Sequence, residues 1–141
     1  MTPPPDSKRS PWIARLLAAA TVAFTALLVV ATHYPRPEEL LGPNPPSDKT
    51  LHFVAYGTLA ALAAATWLTS RRLAGRSLGG LAVALAAFGG LDELTQPFFR
   101  RSAEPLDWLY DCAGILIGIA AVATVAAILR SLRRPTAAAG Q

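Results

Sequence analysis

Long apolar runs alternate with short polar segments along the chain, and this alternation predicts four membrane-spanning helices. A helix needs about 20 apolar residues to cross the hydrocarbon core of a bilayer. Four runs approach or exceed this length, and five prolines between positions 35 and 46 keep the first connection from being helical throughout. Pro97 is expected to end the third helix directly after Gln96. The predicted helices cover about residues 12–34, 49–70, 77–96 and 107–130.

Charged residues are few, and their distribution predicts how the helices are oriented. They make up 16% of the chain, against roughly 25% in soluble domains, and the mean hydropathy is +0.37. Most acidic residues follow the first and third runs, whereas the basic residues cluster elsewhere. Since cytoplasmic loops are enriched in Lys and Arg, we predict an all-α membrane protein, a compact bundle of four transmembrane helices with cytoplasmic N- and C-termini. The clustered basic residues are Lys8, Arg9, Arg15, Arg71, Arg72, Arg76, Arg130, Arg133 and Arg134.

The same pattern divides the chain into one membrane domain, residues 12–131, and two disordered cytoplasmic tails, residues 1–11 and 132–141. A signal peptide is the competing interpretation of the N-terminus, with a poor cleavage site at Val29 to Ala31. The apolar run is longer than a typical signal core, which favours an uncleaved first helix. The net charge of +4 follows from the membrane orientation, so nucleic acid is not expected as a partner. Cys112, the only cysteine, excludes an internal disulfide and is expected to be a small buried residue.

Polar and charged residues collect at the predicted outer ends of the last three helices and in the loop between the third and fourth. Asp48, His52 and Tyr56 are spaced four residues apart and therefore share one face of the second helix. Two adjacent acids close the third helix, and two more lie one turn apart on the fourth. We predict that these side chains form one ligand-binding site on the extracytoplasmic side. Its candidate residues are Asp48, Lys49, His52, Tyr56, Asp92, Glu93, Gln96, Arg101, Asp107 and Asp111.

Several of these residues also have simpler structural interpretations. Asp48 and Asp107 each suit the N-cap of a helix, and Lys49 suits an anchor at the membrane interface. Gly114 and Gly118 form a GxxxG segment, which is typical of a helix-packing surface. The acids and bases together therefore form either a polar network that holds the helices together or a site for an ion or a phosphate headgroup.

Asp111 is the candidate that most needs a partner. An ionised carboxylate at the bilayer centre costs about 2.5–3.5 kcal/mol on insertion scales, and less near the interface. By helical rise, Asp111 lies roughly 6 Å further along its helix than Asp107. We expect a basic residue to offset this cost, and Arg101, Lys49 and His52 are the available ones.

Three sequence blocks contain most of the candidate residues: DKTLHFVAYG from Asp48, DELTQ from Asp92, and DWLYDCAGILIG from Asp107. In this order, with an arginine loop before the third block, they resemble the VanZ-like family of small bacterial membrane proteins. Arg101 best fits the family's arginine, and Asp111 stands where the family often has Asn. The resemblance implies a multi-pass protein of the bacterial cytoplasmic membrane that acts in the cell envelope. The family's namesake is associated with resistance to glycopeptide antibiotics, and no biochemical activity is settled for the family.

Three functions fit these observations. The first is a binding protein for an anionic lipid or lipid-linked cell-wall intermediate, whose phosphate Lys49, His52 and Arg101 would contact. The second is an intramembrane metal-dependent enzyme acting on a lipid-linked phosphate, with His52 or Glu93 as general base. The third is a structural or accessory subunit. A metal, if present, would be a divalent cation such as Mg²⁺ held by carboxylates. Its candidate ligands are Asp92, Glu93, Asp107 and Asp111.

Overall fold

Four long helices make up the computed structural model, which describes residues 11–35, 42–70 and 77–132. They are α1 (Pro11–Thr32), α2 (Asp48–Thr69), α3 (Leu78–Thr95) and α4 (Pro105–Leu132), and a short 3₁₀ helix, Gln96–Phe99, follows α3 directly. All four spans are long and apolar enough to cross a membrane, α3 when taken with the 3₁₀ helix. The described residues contain no strand. The predicted all-α bundle is therefore confirmed, and the protein is a multi-pass membrane protein.

Helices α2, α3 and α4 begin at residues that suit a helix start. The hydroxyl of Ser47 accepts from the backbone N–H of Thr50 and caps α2, and Ser77 caps α3 in the same way. Helix α4 opens with Pro105, which loses no hydrogen bond at a first position. The prediction that Asp48 and Asp107 are N-caps is therefore wrong. Both lie inside the first turn of their helices, so their carboxylates are directed elsewhere.

The α-helix ends at Thr95, one residue before the predicted end at Gln96, and the chain continues through Pro97 in the 3₁₀ helix. Proline at the start of such a turn costs little, because the N–H it lacks would have no partner there. The turn ends at Arg100, whose φ of 63° is left-handed. The backbone N–H groups of Arg100 and Arg101 then donate to the carbonyls of Pro97 and Gln96. This reversal places Arg101 back over the end of the bundle.

Helices α2 and α4 form the main interface of the bundle, and three glycines lie where they cross. A Cβ atom on Gly118 would collide with the carbonyl oxygen of Gly57, and one on Gly114 with the carbonyl oxygen of Phe53. The GxxxG segment is thus a packing surface, as its spacing indicated. The apolar core is Leu28, Tyr56, Leu59, Ala60, Ala63, Ala64, Leu81, Ile115 and Ile119.

Helices α1 and α3 pack on either side of this central pair. A hydrogen bond of 3.0 Å joins the hydroxyls of Thr21 and Thr66 between α1 and α2. The indole N–H of Trp108 donates to the carbonyl of Ala86 and joins α4 to α3. Cys112 is half-buried rather than fully buried, contrary to expectation.

The predicted orientation and the predicted tails depend mostly on residues outside the described ranges. Of the nine clustered basic residues, only Arg15 and Arg130 are described. Residues 1–10 and 133–141, which make up most of the two predicted tails, also lie outside. Cytoplasmic termini therefore stay a prediction.

Candidate functional site

One end of the bundle contains a group of buried polar side chains that we call the polar cluster. The C-terminal ends of α1 and α3 meet the N-terminal ends of α2 and α4 there, because consecutive helices run in opposite directions. All ten predicted site residues lie at this end, although three of them are only partly buried. The buried members of the polar cluster are Thr32, His52, Tyr56, Asp92, Glu93, Gln96, Asp107 and Asp111.

His52 occupies the centre of the polar cluster, between acids from two other helices. Its Nδ1 shares a hydrogen bond of 3.0 Å with Oδ1 of Asp111 and lies 3.6 Å from Oε1 of Glu93. The side chains of His52 and Asp111 are 2% and 0% exposed. Tyr56, one turn further along α2, stacks parallel to the imidazole with ring centroids 6.4 Å apart. His52 is therefore the partner of Asp111 among the three that the sequence offered.

Glu93 is held in place by its own α3–α4 connection. The side-chain amide of Gln96 donates to Oε1 of Glu93 at 2.9 Å, and the backbone N–H of Glu104 donates to Oε2 at 3.2 Å. Both oxygens of this buried carboxylate are thus oriented by neutral donors. These two hydrogen bonds fix the position of the Glu93 carboxylate relative to His52. A fixed position is typical of a binding site and not of charged side chains that adopt several positions.

Arg101 and Lys49 lie at the rim and pair with acids other than Asp111. The guanidinium of Arg101 donates to Oδ2 of Asp48 at 2.7 Å and to the backbone carbonyl of Thr32 at 3.0 Å. The ammonium of Lys49 donates to Oε2 of Glu104 at 3.0 Å and lies 3.5 Å from Oδ1 of Asp107. These two cations therefore link α1, α2, α4 and the loop between α3 and α4 at the rim.

Helix α1 also reaches the polar cluster, whereas the sequence predicted a site shared only by helices two to four. The hydroxyl of Thr32 donates to Oδ1 of Asp92 at 3.0 Å, and Nδ1 of His33 lies 3.6 Å from the same oxygen. Nε2 of His33 also shares a hydrogen bond with the Thr95 hydroxyl. The signal available in the sequence was a Thr-His pair at the end of an apolar run. Glu104 was missed as well, and no spacing rule identifies a loop residue of this kind.

Acidic groups outnumber permanent cations in and around the polar cluster. Among the described residues, six carboxylates lie in or beside the polar cluster, and the permanent cations that form ion pairs there are Lys49 and Arg101. Within the described residues, four buried polar atoms make no hydrogen bond: the Tyr56 hydroxyl and one oxygen each of Asp92, Asp107 and Asp111. The Asp107 oxygen is ion-paired with Lys49 at 3.5 Å, whereas the oxygens of Asp92 and Asp111 have no cation beside them in the described residues. Buried unpaired carboxylate oxygens are costly. The arrangement therefore favours a bound cation in its interior over a bound anion.

Two groups of residues have the ligand types and spacing for a metal ion. One is His52, Glu93 and Asp111, and the other is Asp48, His52 and Asp107, each with its ligand atoms within 4.8 Å of one another. Among the four acids predicted as metal ligands, Glu93, Asp107 and Asp111 fall in these groups. Asp92 falls in neither, and its Oδ1 accepts from Thr32 instead.

The chain matches no family model, no curated protein and no solved structure. The resemblance to the VanZ-like family accordingly stays a prediction that depends on the three sequence blocks. Their charged residues are nevertheless brought to one end of the bundle, as a common role requires.

Proposed function

We propose that the protein is a VanZ-like protein of the bacterial cytoplasmic membrane that binds an anionic lipid or a lipid-linked cell-wall intermediate from the outer leaflet. The headgroup phosphate would meet Lys49 at the rim of the polar cluster, and the hydrocarbon chain would lie along α2 and α4. The observation that carries this proposal is the alignment of Lys49 with an apolar groove on the same helix face.

The groove is a shallow, open and almost wholly apolar surface between α2 and α4, with a volume of about 460 Å³. Lys49, Phe53, Gly57 and Ala61 follow one another at spacings of four along α2 and therefore share a face. The ammonium thus lies at the polar end of the stripe that lines the groove. The lining residues are Phe53, Val54, Gly57, Thr58, Ala61, Leu62, Gly114, Ile117, Gly118 and Ala121.

Lys49 can accept a phosphate by exchanging one anionic partner for another. Its closest acceptor is Glu104, the last residue of the loop before α4. The Glu104 side chain is 53% exposed. A phosphate oxygen in that position would keep a charge-assisted hydrogen bond to the ammonium. The nearby Asp107 carboxylate is 2% exposed, and its ion pair would continue to position Lys49 from the buried side.

The second candidate function is a metal-dependent enzyme that acts on the same lipid-linked phosphate. It is favoured by a buried histidine that lies between two carboxylates, the residue types that metal-assisted hydrolysis uses. A structural role is the third possibility, and it predicts no lipid preference. The following experiment distinguishes the three functions. The binding protein retains the lipid, the enzyme converts it, and the structural protein does neither.

Lys49→Gln should lower the affinity for an anionic lipid by about tenfold, since a charge-assisted hydrogen bond contributes about 1.5 kcal/mol or more. The measurement is lipid retention on the detergent-purified chain by native mass spectrometry, with phosphatidylglycerol, a polyprenyl phosphate and phosphatidylcholine as probes. Arg100→Gln is the matched control, because it removes the same charge from an exposed position outside the groove. Equal retention of phosphatidylcholine and the anionic lipids would contradict the proposal, and a converted polyprenyl phosphate would favour the enzyme.

The extracytoplasmic position of the polar end is tested by labelling. In a Cys112→Ala background, Ser102→Cys should react with a membrane-impermeant maleimide in intact cells. Ser131→Cys, which is exposed near the opposite end of α4, should react only after permeabilisation. The reverse pattern would place the polar cluster on the cytoplasmic side, where an outer-leaflet ligand cannot reach it.

A further inference from the structure

We propose that His52, Glu93 and Asp111 bind one divalent transition-metal ion inside the polar end of the bundle. The proposal goes beyond lipid binding and does not depend on it, because all three residues belong to the buried interior and not to the groove. The three side chains come from α2, α3 and α4, so an ion there would join three helices at one point.

The spacing of the three ligand atoms suits a common ion. Tetrahedral coordination with bonds of about 2.0–2.1 Å separates neighbouring ligand atoms by roughly 3.3 Å. Nδ1 of His52 lies 3.0 Å from Oδ1 of Asp111 and 3.6 Å from Oε1 of Glu93. One ligand atom from each residue lies within 4.8 Å of the other two. Small side-chain adjustments therefore bring all three into a single coordination sphere.

An unpartnered carboxylate oxygen provides an independent indication of a ligand. Asp111 is 0% exposed, and its Oδ2 makes no hydrogen bond within the described residues. His52 satisfies only the other oxygen, Oδ1. A Cβ atom on Gly89 would approach Oδ2 to 3.2 Å, so glycine at this position keeps a side chain away from the carboxylate. A divalent ion bound to Asp111 would neutralise this buried carboxylate, which the protein itself leaves with one oxygen lacking a donor.

The residues around Glu93 support the same interpretation. Metal-binding carboxylates are commonly fixed by hydrogen bonds from outer residues, and such partners tune both geometry and affinity. Gln96 and the backbone of Glu104 fix Glu93 in this way. The excess of acids over permanent cations also supplies the negative charge that a divalent ion needs.

The ligand types select the ion. One imidazole nitrogen and two carboxylate oxygens suit Zn²⁺ or Mn²⁺. Mg²⁺ prefers oxygen ligands and retains several waters, so a buried site with a histidine nitrogen as ligand suits it poorly. We therefore assign the site to a transition ion in preference to the Mg²⁺ that the carboxylates alone suggested.

The test uses the full chain, purified in detergent through a tag that contains no histidine, stripped with EDTA and then titrated with Mn²⁺ or Zn²⁺. We expect one ion per chain by elemental analysis after gel filtration. Bound Mn²⁺ should show nitrogen modulation in pulsed electron paramagnetic resonance, from the imidazole of His52. His52→Gln should remove that modulation.

Glu93→Gln and Asp111→Asn should each weaken Mn²⁺ binding by at least about tenfold. His33→Gln is the matched control, since it removes the other histidine of the chain, which belongs to neither metal group, and its affinity should match the wild type. A wild-type chain that retains no ion, or that binds Mn²⁺ without nitrogen modulation, overturns the proposal even if a variant fails to fold. Lipid retention is measured in EDTA, so that lipid binding is tested without the metal ion. The lipid proposal and the metal proposal can then fail independently of each other.

Discussion

His52→Leu is expected to lower the free energy of unfolding by about 3–5 kcal/mol, measured in EDTA so that no metal ion contributes. The substitution removes the only hydrogen-bond partner of Asp111 within the described residues and leaves its carboxylate fully buried. It also removes the imidazole that lies 3.6 Å from Glu93. Two acids from different helices then face each other without the group that separates them. The loss is large because an uncompensated buried charge costs more than the pair contributed.

The double variant His52→Leu with Asp111→Val should recover at least half of that loss. Valine is close to aspartate in shape, and an apolar pair of similar volume often replaces a buried ionic pair without cost. Glu93 keeps its two neutral donors in this variant. Double-mutant analysis then gives a strong coupling energy between the two positions.

Both variants and the single variant Asp111→Val are measured by SDS-titrated unfolding in mixed micelles, with helicity as the signal. His33→Leu is the matched control, because this second histidine also lies 3.6 Å or less from its partners but its side chain is 13% exposed. Its loss should be near 1 kcal/mol, the typical contribution of a hydrogen bond. If the two single losses at positions 52 and 111 simply add, the pair is not the coupled unit described above.

The fold could be predicted from the sequence because membrane helices follow from local rules. A span must be long and apolar, and Pro or Ser marks where it begins or ends. The errors were local as well. Asp48 and Ser47 are both good caps in adjacent positions, and nothing in the sequence alone shows that Arg101 binds Asp48 and leaves the cap to serine.

The candidate site could be predicted only where residues share a helix face. Asp48, His52 and Tyr56 fall together by a spacing of four, whereas the choice of His52 as the partner of Asp111 depends on how α2 packs against α4. Thr32 and His33 enter through the position of α1 beside α3, a tertiary relation that no periodicity shows. The left-handed turn at Arg100 likewise directs Arg101 inward without a glycine to indicate it.

Gly118→Ala is expected to lower the free energy of unfolding by about 1–3 kcal/mol, the usual cost of overpacking, and Gly118→Leu to lower it further. The added Cβ would collide with the carbonyl oxygen of Gly57 and lie 3.1 Å from the backbone nitrogen of Ala61. Because both atoms belong to the backbone, no side-chain rotation relieves the contact, and α2 must move away from α4. In lipid, close backbone approach is a main source of helix association, so this separation is costly.

Gly79→Ala is the matched control, since its Cβ would meet nothing closer than the hydroxyl oxygen of Ser77 at 3.8 Å. Alanine is the better helix former, so this variant should show no loss of stability. The same separation of α2 from α4 should pull His52 away from Asp111, which it contacts at 3.0 Å across the interface. Gly118→Ala should therefore weaken Mn²⁺ binding as well as stability, and Gly79→Ala should change neither. Equal losses in the two variants would contradict the prediction, because the close approach of two backbones exists at Gly118 and not at Gly79.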